Sequence, residues 1–107
     1  MGLGCYDTRP RGQLQWVAKG RTKSPDQAKK WCKGYKYMSL ECPTSGGFEV
    51  FCVNKPSPTK IPDKDCQGHP TVKSLTGGRN HHCVGPYKYG NTWGGGAHRG
   101  VLYPLGK

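Results

Sequence analysis

The chain has 107 residues, six of them cysteine, and a formal net charge of +11. Leu, Ile, Val and Phe together supply 15 of the 107 residues, below the ~20% under which a highly charged chain without cross-links is expected to be disordered. This composition excludes a large aliphatic core, and no apolar run approaches the ~18 residues of a membrane-spanning helix. It predicts a single domain, residues 1–107, that is stabilised by disulfides.

The cysteines are expected to form three disulfides, which together contribute on the order of 6–12 kcal/mol of stability. Spacing alone leaves every pairing of the six open. No C-x-x-C pair occurs, and the adjacent residues 81–83 (HHC) cannot all turn toward one ion, so we expect no metal and no other cofactor. The predicted disulfide cysteines are Cys5, Cys32, Cys42, Cys52, Cys66 and Cys83.

Disulfides form in oxidising compartments, which predicts a secreted, extracellular protein. The first thirty residues contain no apolar segment of the kind found in signal peptides. We therefore interpret Met1 as an initiator placed before a mature domain whose leader is absent. No pattern in the sequence fixes an oligomeric state.

The basic excess is large, with 17 Lys and Arg against six Asp and Glu. It favours contact with anionic glycans, cell surfaces or lipids, and with nucleic acid only as a nonspecific polyanion. A solvated basic face that keeps the protein soluble is the simpler interpretation. A small defence or adhesion protein that acts by polyanion or membrane binding is one functional alternative. The candidate polyanion patch consists of Lys29, Lys30, Lys33 and Lys36.

Local signals predict two strands and a helix in the first third of the chain. Residues 4–6 are typical of a short strand, and the alternation over residues 13–18 predicts a second one. Ser24 at the N-cap, a proline after it and Gln27 at the third helical position predict a helix that Gly34 ends. Its inner face is expected to carry Ala28, Trp31 and Cys32.

A β-hairpin is predicted over residues 37–53, with its turn at residues 43–47. Alternation on both arms predicts that one face packs on the helix and the other is half exposed. Residues 54–64 are predicted to be a loop, and the glycine-rich residues 76–100 give way to regular structure only at residues 101–103. The predicted fold class is α+β: one main helix packed on an antiparallel sheet, with long glycine-rich loops.

Several short motifs, each containing a glycine or a cysteine, follow one another along most of the chain. The chain begins with G-C-Y at residues 4–6, has G-Y-K-Y at residues 34–37, and carries Cys52 on a hairpin strand. C-Q-G-H-P-T follows at residues 66–71, and a glycine run leads to V-L-Y within residues 94–103. In this order the motifs resemble a WSC domain, a small cysteine-rich extracellular module regarded as carbohydrate-binding. The resemblance spans most of the chain and implies a carbohydrate-binding function.

The chain departs from the WSC pattern because it has six cysteines where the family usually has eight. Ala28 and Val50 occupy the positions of two cysteines that form a disulfide with each other in the family. The chain therefore lacks both partners of that one disulfide and leaves neither cysteine unpaired. Trp93 stands where another cysteine precedes the glycine run. The resemblance implies a disulfide between Cys32 and Cys52, whereas two other cysteines have no counterpart in the family.

Aromatic and hydrogen-bonding side chains are concentrated between residues 79 and 93. Sugars are held by aromatic faces and by convergent amide, imidazole and guanidinium groups, so this segment is the candidate carbohydrate site. The competing interpretation is that these aromatic rings fill a core that is poor in aliphatic residues. The candidate ligand-binding residues are Arg79, His82, Tyr87, Tyr89, Asn91 and Trp93.

A secreted ribonuclease is the enzymatic alternative, because a small basic protein with four histidines can supply an imidazole base and an imidazole acid. The glycine-rich approach to Arg99 and the apolar strand after it faintly resemble the end of microbial guanyl-type ribonucleases, but their histidine-bearing catalytic strand has no counterpart. We therefore predict no catalytic residues, and keep a degenerate ribonuclease-like binding protein as an alternative. The candidate acids, bases and phosphate-binding residues under the ribonuclease alternative are His69, His81, His82, His98, Glu49, Arg79 and Arg99.

Overall fold

The computed structural model describes residues 4–8, 16–44, 46–55, 60–62, 66, 88–89, 92–93, 95 and 99–106. Within them the chain forms one helix and eight strands, so the α+β prediction is confirmed only in part, because the molecule is mostly sheet. Six strands form an antiparallel sheet in the order β2-β4-β3-β8-β1-β5, and β6 pairs with β7 alone. The elements are β1 (Gly4–Asp7), β2 (Trp16–Thr22), α1 (Pro25–Trp31), β3 (Tyr37–Thr44), β4 (Gly47–Val53), β5 (Lys60–Ile61), β6 (Lys88–Tyr89), β7 (Thr92–Trp93) and β8 (Arg99–Pro104).

Helix α1 begins with Ser24 at the N-cap, as the sequence predicts, but the backbone N–H of Ser24 donates to the Thr22 hydroxyl oxygen at 3.0 Å and not to the Gln27 side chain of a capping box. The backbone N–H of Gln27 donates to the Ser24 hydroxyl oxygen at 3.2 Å, which satisfies one of the donors left free in the first turn. At the other end the N–H of Cys32 donates to the Ala28 carbonyl at 3.1 Å. The helix ends before Gly34, and this glycine has a φ of +93° within the turn that follows.

Strand β3 lies inside the sheet, where it pairs with β4 on one side and with β8 on the other. Leu40 lies opposite Val50 of β4 and opposite Val101 of β8. The predicted hairpin of β3 and β4 is therefore present, and the apolar residues of its two arms lie side by side on one face. That face packs against α1.

Several elements differ from the sequence-based predictions, including β6 and β7, which lie within the glycine-rich residues 76–100 that were predicted to lack regular structure. The predicted loop over residues 54–64 contains β5, which pairs with β1 through Cys5 and Ile61. Strand β2 runs on to Thr22, and β8 begins at Arg99 rather than at residue 101. A strand of two residues is too short to show an alternation of apolar and polar side chains in the sequence. Its pairing depends on the neighbouring strand rather than on local preference.

Strands β3 and β4 are mostly buried on both faces, which corrects the prediction that one face of the hairpin is half exposed, whereas most of the edge strand β2 is exposed. Ser39 and Val53 are fully buried, and Glu41 and Phe51 are 1% and 2% exposed. On this second face the Thr8 hydroxyl donates to the Glu41 carboxylate at 3.1 Å. Polar residues alternate here as on a solvated face, which is why the sequence predicts exposure. The hydrogen bond from Thr8 offsets part of the cost of burying the Glu41 carboxylate.

The two faces carry separate apolar clusters. The smaller one lies on the second face and includes an edge-to-face contact between Trp16 and Phe51, with ring centroids 5.9 Å apart. The larger one lies between α1 and the sheet. Its buried members are Cys5, Ala28, Cys32, Met38, Leu40, Phe48, Val50, Cys52, Cys66, Val101 and Tyr103.

Two disulfides connect this larger cluster. Cys5 is bonded to Cys66, and Cys32 is bonded to Cys52, which is the pair that the WSC resemblance implied. The Cys32–Cys52 bond joins the end of α1 to an interior strand of the sheet. Cys42 is also disulfide-bonded, and the part of the chain that the structure describes contains no free cysteine.

We expect non-reducing peptide mapping to identify a Cys42–Cys83 disulfide. Four cysteines are already paired with one another and Cys42 is bonded, and the sequence contains one further cysteine, Cys83, which lies outside the described residues. The measurement is mass spectrometry of a proteolytic digest with and without reductant. A Cys83 peptide that carries a free thiol contradicts this prediction.

Candidate functional site

A pocket of about 420 Å³ lies where the end of α1, the turn after it and the end of β8 meet. This volume falls within the range of roughly 300–1,000 Å³ that is usual for ligand sites. The described residues that line it are Lys29, Lys30, Cys32, Lys33, Gly34, Tyr35, Pro104 and Leu105.

The turn after α1 forms one wall of the pocket. Gly34 adopts a left-handed conformation with nothing near its missing Cβ, so the chain reverses direction there without a steric clash. The N–H of Tyr35 then donates to the Cys32 carbonyl at 2.9 Å, which closes the turn. This hydrogen bond fixes the backbone that carries the tyrosine ring.

The far wall is held by two hydrogen bonds to Lys36. Its N–H donates to the Asn54 side-chain oxygen at 3.0 Å, and its carbonyl accepts from the N–H of Leu105 at 3.0 Å. The bond from Leu105 ties the segment after β8 to the segment before β3, and the bond to Asn54 ties that same segment to the end of β4. As a result Leu105 and Pro104 lie next to the residues that follow the helix.

Three lysines give the pocket its charge. Lys29, Lys30 and Lys33 are exposed and line the pocket, whereas the fourth lysine of the predicted patch, Lys36, is exposed beside it. Within the described ranges none of the four is in an ion pair, and the acid of the helix, Asp26, lies in its first turn. The positive charges therefore face solvent without a partner in the described part of the protein.

The rest of the pocket lining is apolar or aromatic. Cys32 is buried in its disulfide, and Tyr35 and Leu105 are half-buried against the larger cluster. The sequence-based prediction named none of these as ligand-binding residues. One signal was present, since the aromatic Tyr35 directly follows the lysine-rich helix end and a glycine. Nothing in the sequence showed that the last residues of the chain return to this turn.

The described lining residues offer ammonium groups, a tyrosine side chain and apolar surface for contact with a ligand. Ammonium groups attract anions, and the tyrosine ring with its apolar neighbours can cover the face of a ligand ring. The pocket is therefore suited to a ring-shaped molecule that carries negative charge.

Most of the candidate carbohydrate segment lies outside the described residues, including Arg79, His82, Tyr87 and Asn91. Tyr89 and Trp93 belong to β6 and β7, of which only the backbone is described: Tyr89 pairs with Thr92, and Lys88 with Trp93.

Gly95 shows where this segment meets the sheet. A Cβ at Gly95 would lie 2.5 Å from the Leu40 carbonyl oxygen, so the backbone packs directly on β3 there. The lysine pocket lies near the first residue of β3, where Tyr37 pairs with Pro104. Three residue steps along the strand separate Tyr37 from Leu40, roughly 10 Å. The structure thus places the lysine patch and the start of the glycine run apart.

The ribonuclease candidates are not assembled in the described part of the chain. Arg99 is only 1% exposed, so its guanidinium is enclosed rather than open to a phosphate in solvent. Glu49 is half-buried and lies opposite Glu41 on β3 and Arg21 on β2. The four histidines, His69, His81, His82 and His98, lie outside the described residues, as does Arg79.

The described residues contain neither a candidate metal site nor a candidate membrane-spanning helix. No group of three or more His, Cys, Asp or Glu in the described ranges is placed to hold a metal ion. No helix there is both long enough and apolar enough to cross a bilayer. No family model, curated protein or solved structure matches the chain.

Proposed function

We propose that this protein is secreted, lacks enzymatic activity and binds anionic carbohydrate in the pocket at the end of α1. One observation carries the proposal: three exposed lysines, Lys29, Lys30 and Lys33, surround a pocket whose remaining lining includes Tyr35 and Leu105. Secretion is supported by the disulfides, because such bonds persist in oxidising compartments.

The shape of the pocket favours a sugar over a bare polyanion. A polyanion needs only exposed charge, and a flat basic surface provides that. Here the lysines stand around a concave site with an aromatic ring, and sugar rings stack their C–H surfaces on such rings. The candidate segment at residues 79–93, whose side chains lie outside the described residues, is a second place for sugar contact under this proposal.

The charge of the pocket favours an acidic sugar over a neutral one. Lys29 lies in the last turn of α1 and Lys33 in the turn that follows the helix, and both line the pocket. Sulfate and carboxylate groups on a sugar would each accept a charge-assisted hydrogen bond from an ammonium group. A neutral sugar would leave these charges without a partner.

We expect the double substitution Lys29→Gln, Lys33→Gln to weaken binding of a sulfated heparin-derived tetrasaccharide about tenfold, because each lost interaction of an exposed charge is worth roughly 0.7 kcal/mol and a tenfold change corresponds to about 1.4 kcal/mol. The measurement is isothermal titration calorimetry at a series of salt concentrations. The slope of log K against log salt should fall by roughly one to two, since fewer counterions are released.

The matched control is Lys23→Gln, Lys60→Gln, which removes two exposed charges from elsewhere in the chain. It should change affinity by less than about twofold. Equal losses in the two double variants would contradict the pocket and support general polyanion binding. Binding by the unsubstituted chain that disappears at high salt and is unaffected by Tyr35→Ala would also contradict a sugar site.

A further inference from the structure

Strand β2 contains a bulge at Lys19. Ala18 lies opposite Phe51 of β4, and the next paired residue is Gly20, opposite Val50. Lys19 is therefore left out of the register between the two strands. A bulge turns the extra residue away from its regular direction, and bulges at binding sites often aim a side chain at the site.

Gly20 makes this arrangement sterically acceptable. Its φ is +143°, and a Cβ there would lie 3.5 Å from the Trp31 ring at the end of α1. The bulge consequently lies close to the helix end, on the side of the sheet where the pocket is. Lys19 reaches that side, with its ammonium nitrogen 5.6 Å from the centroid of the Tyr35 ring.

The contact between Lys19 and Tyr35 affects the pocket in two ways. An ammonium group over an aromatic face is attracted to the electrons of the ring, which restrains the orientation of the tyrosine side chain. It also adds a positive charge beside the aromatic wall, separate from the lysines of the helix. Lys19 is exposed and has no ion-pair partner in the described ranges, so this charge is open to a ligand.

We propose that Lys19 determines the specificity of the pocket: it positions Tyr35 and selects a sugar whose stacked ring itself carries an acidic group. This inference rests on the proposed function and narrows its ligand class. A ring stacked on Tyr35 would place its own sulfate or carboxylate near Lys19, while further acidic groups would meet the helix lysines. A charged chain without a ring would gain nothing from the Lys19–Tyr35 contact.

The experiment compares Lys19→Met with Lys23→Met, which removes an exposed charge three residues after Gly20, where the bulge ends. The probes are a sulfated heparin-derived tetrasaccharide and inorganic polyphosphate, which is charged but has no sugar ring. Lys19→Met should weaken tetrasaccharide binding about fivefold to tenfold and polyphosphate binding less than about twofold, because only the sugar uses the restrained ring. Lys23→Met should change both affinities by less than about twofold.

Lys19→Arg provides a test of positioning, since a guanidinium also stacks on aromatic rings and should retain most of the tetrasaccharide affinity. The melting temperature of each variant is measured to confirm that it is folded. If Lys19→Met and Lys23→Met lose the same affinity for the tetrasaccharide, this inference is wrong while the proposed function stands. If the unsubstituted chain binds polyphosphate but not the tetrasaccharide, the proposed function is wrong, and the inference with it.

Discussion

Replacing Gly47 with alanine is expected to reduce the free energy of unfolding by about 3 kcal/mol or more, which would lower the melting temperature by more than about 12 °C. Gly47 is the first residue of β4 and has a φ of +112°, in a region that side chains disfavour. A Cβ there would overlap the Thr22 carbonyl and lie 2.7 Å from the Lys23 amide nitrogen. The clash is with backbone atoms, so it cannot be relieved by rotating a side chain.

Gly34→Ala is the matched control for this prediction. Gly34 also has a positive φ, of +93°, but no atom lies within 4 Å of the position that its Cβ would occupy. Gly34→Ala should therefore reduce the free energy of unfolding by only ~1–2 kcal/mol, which is the cost of placing an alanine in this backbone conformation. Thermal unfolding followed by circular dichroism, with the disulfides intact, measures both variants. Similar melting temperatures for the two would show that the contact of Gly47 with residues 22–23 is unimportant.

Removing the Cys5–Cys66 disulfide by substitution of both cysteines with alanine should destabilise the protein by about 4 kcal/mol. The bond spans 61 residues, so it removes more loop-closure entropy from the unfolded chain than the bond between Cys32 and Cys52, which spans 20. The same estimate gives about 3 kcal/mol for the shorter loop. Urea denaturation of the two double variants measures the difference.

The two disulfide variants should differ more clearly in binding than in stability. Cys32 lines the pocket and fixes the end of α1 to β4, so Cys32→Ala, Cys52→Ala should also weaken binding of the sulfated tetrasaccharide. Cys5 and Cys66 are not among the described lining residues, so their removal should leave the affinity of the remaining folded protein unchanged. Equal affinities in the two variants would show that the pocket does not depend on the Cys32–Cys52 bond.

Most of the residues that we expect to determine stability lie apart from those that we expect to determine binding. The positive-φ glycine at the β3–β4 turn and the longer disulfide act on the sheet, whereas Gly34, Tyr35 and the helix lysines act on the pocket. The side chain of Arg21 supports the first group, because it donates hydrogen bonds to the carbonyls of Cys42 and Gly47. The Cys32–Cys52 bond belongs to both groups, because it closes a loop of the chain and its Cys32 lines the pocket.

The sequence by itself determined the features that depend on neighbouring residues. Ser24 and Gln27 specify the start of α1 because the cap is a contact between residues three positions apart. The alternation over residues 37–53 specified the β-hairpin for the same reason. The lysine-rich end of the helix was equally visible, because consecutive turns of a helix bring nearby residues together.

Only the tertiary structure decided the features that depend on distant residues. Leu105 reaches the pocket through a hydrogen bond to Lys36, and β5 exists because β1 pairs with it. The second face of the sheet looked half-exposed because Ser39 and Glu41 are polar, yet both are buried. Local alternation reports which residues share a face, but whether that face meets solvent is set by contacts between segments far apart in the chain.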